Sequence, residues 1–114
     1  MQYLLMLHMD EGGWDQLTPD QQAAGQAAYT AFTESMREAG KLIASARLMP
    51  SHEARTVRTK GGKTVAMDGP FAETKEQIAG FYLLEAADLA EAEALAARCP
   101  ASGHGVVEVR ALRY

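Results

Sequence analysis

The chain is predicted to fold as an α+β domain with the element order β-α-β-β-β-β-α-β. Three observations carry that reading. Two short runs, Gln2 to His8 and Gly80 to Ala86, are apolar on both alternating faces. Two longer runs have helix caps, helical periodicity and helix stops. Between them, Lys60-Gly61-Gly62 separates two strand-like segments as a hairpin turn does. The order corresponds to a ferredoxin-like βαββαβ domain with a β-hairpin inserted in its middle.

Residues 2–8 are too short and too evenly apolar for a helix. Tyr3, Leu5 and Leu7 point one way and Leu4 and Met6 the other. Both faces require cover. Two helices can cover one; a second subunit is the simplest cover for the other, which predicts a homodimer, a dimeric α/β-barrel-like assembly. Asp10 to Leu17 reads as a loop carrying Trp14, either a plug or a flap. Thr18-Pro19-Asp20-Gln21 starts a helix with a cap, a proline at the first position and a capping glutamine. The helix is expected to end near Ala39, at Gly40. Its expected buried stripe is Ala24, Ala28, Ala31, Phe32, Ser35, Met36 and Ala39, the alanines implying close approach to the sheet.

Lys41 to Leu48 is read as a strand and Met49 to His52 as a turn. Ala54 to Thr59 and Lys63 to Met67 form the hairpin strands. Gly80 to Ala86 is the next strand. Asp88 caps the second helix with Glu91 as partner, and Leu89, Ala92, Leu95, Ala96 and Cys99 form its stripe up to Pro100. Ala101 to Gly105 reads as a loop. Val106 to Leu112 is the last strand, with Val107 and Val109 on one face and Glu108 and Arg110 on the other.

The densest chemistry lies in Asp68-Gly69-Pro70-Phe71-Ala72-Glu73-Thr74-Lys75-Glu76-Gln77. Gly69 opens backbone angles closed to other residues, and Pro70 fixes its own φ, so the chain must turn there. Phe71 is expected to plug the turn against the core, and Thr74 with Gln77 to cap a short helical turn. Two readings of the charges stand side by side. Either Asp68 holds backbone N–H groups and the other charges are solvated, or Asp68 and Glu76 line a cleft with Lys75 between them.

With 114 residues, 47% of them hydrophobic and 23% charged, the chain is a single globular domain spanning 1–114. A net charge of −4 and scattered basic residues argue against nucleic acid or an anionic membrane as partner. The lone Cys99 excludes an internal disulfide and reads as a small buried hydrophobe. No signal-peptide pattern and no membrane-length apolar run are found, so the cytoplasm is the expected compartment. His8, His52 and His104 lack paired metal-ligand spacing. His8 with Asp10 and Glu11 is the sole weak cation candidate, and no metal or cofactor is expected. No nucleophile elbow or phosphate loop is present.

The stretch Asp68 to Glu76, followed by Gly80-Phe81-Tyr82-Leu83, resembles the signature of the DGPF proteins of the YCII-related superfamily. Met1 to Leu7, Thr56-Val57-Arg58, Ala92 to Pro100 and Val107 to Arg110 extend the resemblance over nearly the whole chain. The resemblance implies a ferredoxin-like dimer. It also implies a family whose genes often accompany extracytoplasmic sigma factors. In related YCII-type proteins a histidine on the first long helix belongs to a His/Asp site, and Tyr29 occupies the corresponding position here.

Two function classes follow. In the first, a cytoplasmic dimer binds a small organic acid or aromatic compound in a cleft beside the DGPF loop, as a lyase, isomerase or dehalogenase-like enzyme. Asp68 is then the base and Tyr29 orients the substrate. Lys75 and Arg110 meet negative charge, while Glu76, Arg58 and Ser45 line the pocket. In the second, the protein is a non-enzymatic accessory or regulator beside a sigma factor, and the DGPF loop is a structural clasp. Glu108 and Arg110 fit either an ion pair at a dimer rim or an anion-recognising arginine.

Overall fold

A computed structural model describes residues 1–113. The body is a four-stranded antiparallel sheet of order β2-β5-β1-β6, formed by β1 (Gln2–Met9), β2 (Leu42–Arg47), β5 (Gln77–Glu85) and β6 (Val106–Ala111). A separate two-stranded ribbon, β3 (Arg55–Lys60) and β4 (Lys63–Asp68), projects from it. Two helices, α2 (Pro19–Glu38) and α3 (Leu89–Arg98), cover one face of the sheet. Two short ones, α1 (Glu11–Asp15) and α4 (Ala101–His104), lead into α2 and out of α3. Among the described residues, no helix is long and apolar enough to cross a membrane.

The local causes are those the residues imply. Thr18 accepts from the Gln21 amide at 3.2 Å, and the Gln21 side chain accepts from the Thr18 amide at 2.9 Å, closing the capping box of α2. Gly40, at φ 72°, ends that helix, and Lys41 N donates back to Met36 O at 2.9 Å. Asp88 caps α3 through the Glu91 amide at 2.8 Å. The ribbon turns through Gly61 and Gly62, both at positive φ.

Tyr3, Leu5, Leu7, Tyr82 and Leu84 meet Phe32, Met36, Ala92, Leu95, Ala96 and Cys99 in one core. Phe32 stands edge-on to Tyr82, with ring centroids 5.1 Å apart, and Cys99 is buried as expected. The opposite face of the sheet carries Leu4, Met6, Phe81 and Leu83, none of them fully buried.

Several expectations need correction. The buried stripe of α2 runs through Gly25, Tyr29, Phe32 and Met36, and Ala24, Ala28 and Ala31 face outward. The bulky side chains set the helix rotation because they bury the most area; alanines gain little by it. Leu89 is exposed, although the rest of the α3 stripe is buried. Residues read as loops, 11–15 and 101–104, are short helices. Asp10 caps the first through the Gly12 amide, at 3.1 Å. Trp14 packs its ring over Gly25, as a plug. β5 begins at Gln77, three residues earlier than expected.

Gly105 enters β6 where a Cβ would collide with the His8 carbonyl and lie 2.9 Å from Met9 Cγ. The obstacle is backbone and cannot rotate away. Gly105→Ala is therefore expected to cost about 1–3 kcal/mol, measured by urea unfolding. Gly103→Ala, where a Cβ meets nothing within 4 Å, is expected to be near neutral.

Candidate functional site

β1 is bonded to β5 on one side and β6 on the other, so side chains 100 residues apart become neighbours. His8 follows Leu4 and Met6 on the face away from the helices. Glu108 lies opposite Met6, Val106 opposite His8, and Arg110 opposite Leu4. His8 Nε2 and Glu108 Oε1 are 3.2 Å apart, and Arg110 donates to Glu108 Oε2 at 2.8 Å. His8 is 24% exposed, Glu108 41% and Arg110 72%. The carboxylate holds one ring nitrogen of His8. Nδ1 makes no hydrogen bond to protein among the described residues.

A register shift between Leu7 and His8 inserts Ala79 as an extra residue on β5: Leu7 faces Gly80, but His8 faces Ile78. The Ala79 carbonyl is taken by the Leu48 amide at 2.8 Å, which brings the segment after β2 alongside the bulge. Glu11 then ties α1 to that segment by accepting from both the amide and the hydroxyl of Ser51, each at 2.7 Å. The result is a wide, solvent-open cleft of about 800 Å³. His8, Glu108, Ile78 and Val106 lie on its sheet side. Leu48, Met49 and Ser51 form one wall, and Pro70 to Ala72 with Thr74 to Gln77 the other.

The wall formed by the DGPF loop is held from within. Gly69, at φ 98°, donates to Ala54 O at 2.7 Å, and Thr56 Oγ1 donates to Gly69 O at 2.9 Å. Gln77 Nε2 donates to Ala72 O and Thr74 O, both at 3.0 Å. Gln77 therefore staples a bent loop instead of capping a helical turn. Phe71 does not plug the core. It is 78% exposed and lies under the Arg58 guanidinium, 5.2 Å from ring centroid to Cζ.

Of the residues singled out from sequence, Lys75 and Glu76 line the cleft. Arg110 reaches its edge through Glu108. Asp68 ends β4, is 85% exposed and pairs with Arg55 across the ribbon. It borders a second, adjoining hollow of about 460 Å³, which it shares with Lys75 but not with Glu76. Tyr29, Ser45 and Arg58 line neither hollow. Ser45 pairs with Tyr82 and so shares the helix-side face. Tyr29 is on α2, and its hydroxyl meets His104 Nε2 at 3.1 Å and Met9 Sδ at 3.4 Å. Asp68 and Tyr29 are not in contact. The His8–Glu108 pair is the feature that sequence reasoning missed. Its signal was parity: His8 shares the face of Leu4 and Met6, and Glu108 alternates away from Val107 and Val109.

Burial, followed by the negative potential of Cys99 and Tyr82, pushes the Tyr29 phenol well above its ordinary value of 10, with Arg47 pulling weakly the other way. Burial also raises Tyr82, whose hydroxyl is 2.7 Å from Thr33 Oγ1. Raised values favour the protonated phenols in the fold. Their contribution is full below pH 10 and is lost as pH rises through the folded values. Stability is expected to fall as pH rises above about 10, less steeply in Tyr29→Phe, as read from urea midpoints. Asp68→Asn is expected to cost less than about 1 kcal/mol, because its ion pair is exposed; thermal unfolding checks it.

Three likenesses to known proteins bear on this geometry. A solved structure, 5-chloro-2-hydroxyhydroquinone dehydrochlorinase (TftG) from Burkholderia phenoliruptrix AC1100 in complex with 2,5-dihydroxybenzoquinone, shares the fold. Its TM-score is 0.58 at 15% identity, covering 100% of this chain and 95% of that one. An uncharacterised protein of Rhizobium meliloti (strain 1021) is 41% identical over 92 residues, 81% of this chain and 74% of the relative. The YCII-related domain matches residues 1–113. A domain match of that extent and the 41% identity together make this chain a member of the YCII-related family.

Proposed function

We propose that this protein binds a small, acidic organic molecule in the cleft beside the DGPF loop and acts on it by proton transfer, as a lyase, isomerase or dehalogenase-like enzyme. The observation that carries this is the His8–Glu108–Arg110 chain on the sheet side of the cleft. Histidine is the side chain most often used for general acid–base catalysis. Glu108 orients the ring, and Arg110 keeps Glu108 in place. Lys75 on the facing wall meets the substrate's negative charge, and Glu76 contacts its polar edge. Asp68 and Arg58 act from the rim on the ribbon side. Tyr29 and Ser45, on the helix side, support the sheet from behind.

The fold-level likeness to a dehydrochlorinase that holds 2,5-dihydroxybenzoquinone supports this class of ligand, a hydroxylated ring that ionises readily. The strand order β2-β5-β1-β6 supports a ferredoxin-like core. The open apolar face of Leu4, Met6, Phe81 and Leu83 supports a homodimer built sheet to sheet, and the lone buried cysteine fits a cytoplasmic protein. One observation favours a second reading, a non-enzymatic accessory protein of a sigma-factor system. The DGPF loop spends Gln77, Thr74 and Thr56 on its own backbone, as a clasp would.

Titration with 2,5-dihydroxybenzoquinone, followed by visible absorbance and calorimetry, separates the two. Binding is expected to weaken at least tenfold in His8→Gln and Glu108→Gln, with little change in Asp68→Asn. Proton transfer by a positioned base contributes roughly 10²–10⁴-fold, so any turnover should fall by about that factor in His8→Gln. Unchanged binding in both His8 and Glu108 variants would remove the cleft from consideration. A complete lack of binding would favour the accessory reading.

A further inference from the structure

The β3–β4 ribbon has a composition unlike the rest of the chain. The sequence has 11 basic and 15 acidic residues. Residues 55–68 hold four of the basic ones, Arg55, Arg58, Lys60 and Lys63, and one acid, Asp68. That leaves seven basic against fourteen acidic residues elsewhere. A cationic arm thus projects from an anionic body. Its tip sets Lys60 directly opposite Lys63, a like-charge pair that weakens an isolated ribbon. Val57, Val65 and Met67 are 60%, 54% and 58% exposed.

A two-stranded hairpin is marginal in water unless it packs on something. This ribbon is a sheet of its own and pairs with no body strand. It stretches the molecule to a radius of gyration of 16.0 Å. A compact chain of this length would have about 13 Å. The arm leaves the body next to Ala54 and Pro70, both of which border the cleft, on the sheet face left open by the helices. Six residues per strand reach about 20 Å, far enough to pass from that face onto a second copy.

We infer that the ribbon is an exchanged arm. In the homodimer it crosses onto the acidic body of the second copy, lays Val65 and Met67 against it, and brings the lysine tip to that copy's cleft as a missing wall. The inference rests on the sheet-to-sheet dimer proposed above, and it adds that each binding site is built from both chains. The charge complementarity of arm and body selects a second copy as the occupant.

The test mixes unlabelled and ¹⁵N-labelled protein by joint unfolding and refolding. Lysines are then coupled to carboxylates with a carbodiimide, and the linked peptides are analysed by mass spectrometry, with sedimentation equilibrium in parallel. The expected result is mixed-isotope links from Lys60 and Lys63 to body carboxylates. The dimer dissociation constant should also rise about tenfold or more in Lys60→Glu/Lys63→Glu, and rise with salt in the unaltered protein. A dimer with only same-isotope links, or with no arm links, overturns the arm exchange and leaves the dimer standing. A monomer in sedimentation overturns both. Retention of a short DNA duplex that is lost in the double variant would assign the arm to nucleic acid and overturn the inference.

Discussion

Everything in this molecule depends on β1, a central strand that must satisfy two neighbours and two faces at once. Its backbone is bonded to β5 and β6 along nearly its full length. Its odd residues, Tyr3, Leu5 and Leu7, are buried under α2 and α3. Its even residues, Leu4, Met6 and His8, emerge on the uncovered face. A sheet with helices on one side only has no cover of its own for the other, and apolar area left in water costs roughly 25 cal/mol per Å². The candidate site and the proposed partner both follow from that asymmetry. The polar end of the open face, at His8 and Glu108, presents hydrogen-bonding groups. The apolar middle, at Leu4, Met6, Phe81 and Leu83, presents area that a protein surface could bury.

The bulge after Leu7 links the two roles. By admitting Ala79 as an extra residue, β5 releases a carbonyl that captures Leu48 and draws the loop after β2 toward the sheet edge. Gly105 lets β6 approach the His8 carbonyl more closely than any side chain would permit. His8 is thus held from both flanks by backbone. The DGPF motif forms one wall of the cleft: its proline and positive-φ glycine fix the turn, and Gln77 and Thr74, with Thr56 of β3, satisfy the loop's carbonyls. Asp68, the most conspicuous acid of the motif, is spent on Arg55.

Much of the fold was legible because its signals are local. Thr18 with Gln21, Asp88 with Glu91, Gly40 after a helical run and the double glycine at 61–62 each act within a few residues. The helix rotation was less legible. Alanines satisfy helical spacing on many faces, and Phe32 and Met36 choose among them only when the sheet is in place. Phe71 misled for a related reason. An aromatic beside a tight turn suggests burial, yet the ribbon holds it away from the core and Arg58 covers its ring.

The sequence alone settled the type of the six strands and two long helices, the two-sided apolar character of β1 and β5, and the family, since all three are written in neighbouring residues. The tertiary structure decided which polar groups meet. Asp68 and Tyr29 stand out in the sequence but remain apart. His8 and Glu108 are inconspicuous and come within 3.2 Å of each other. The reason is strand pairing: register across a sheet depends on bulges and on close backbone contacts between distant segments, which short-range pattern does not encode.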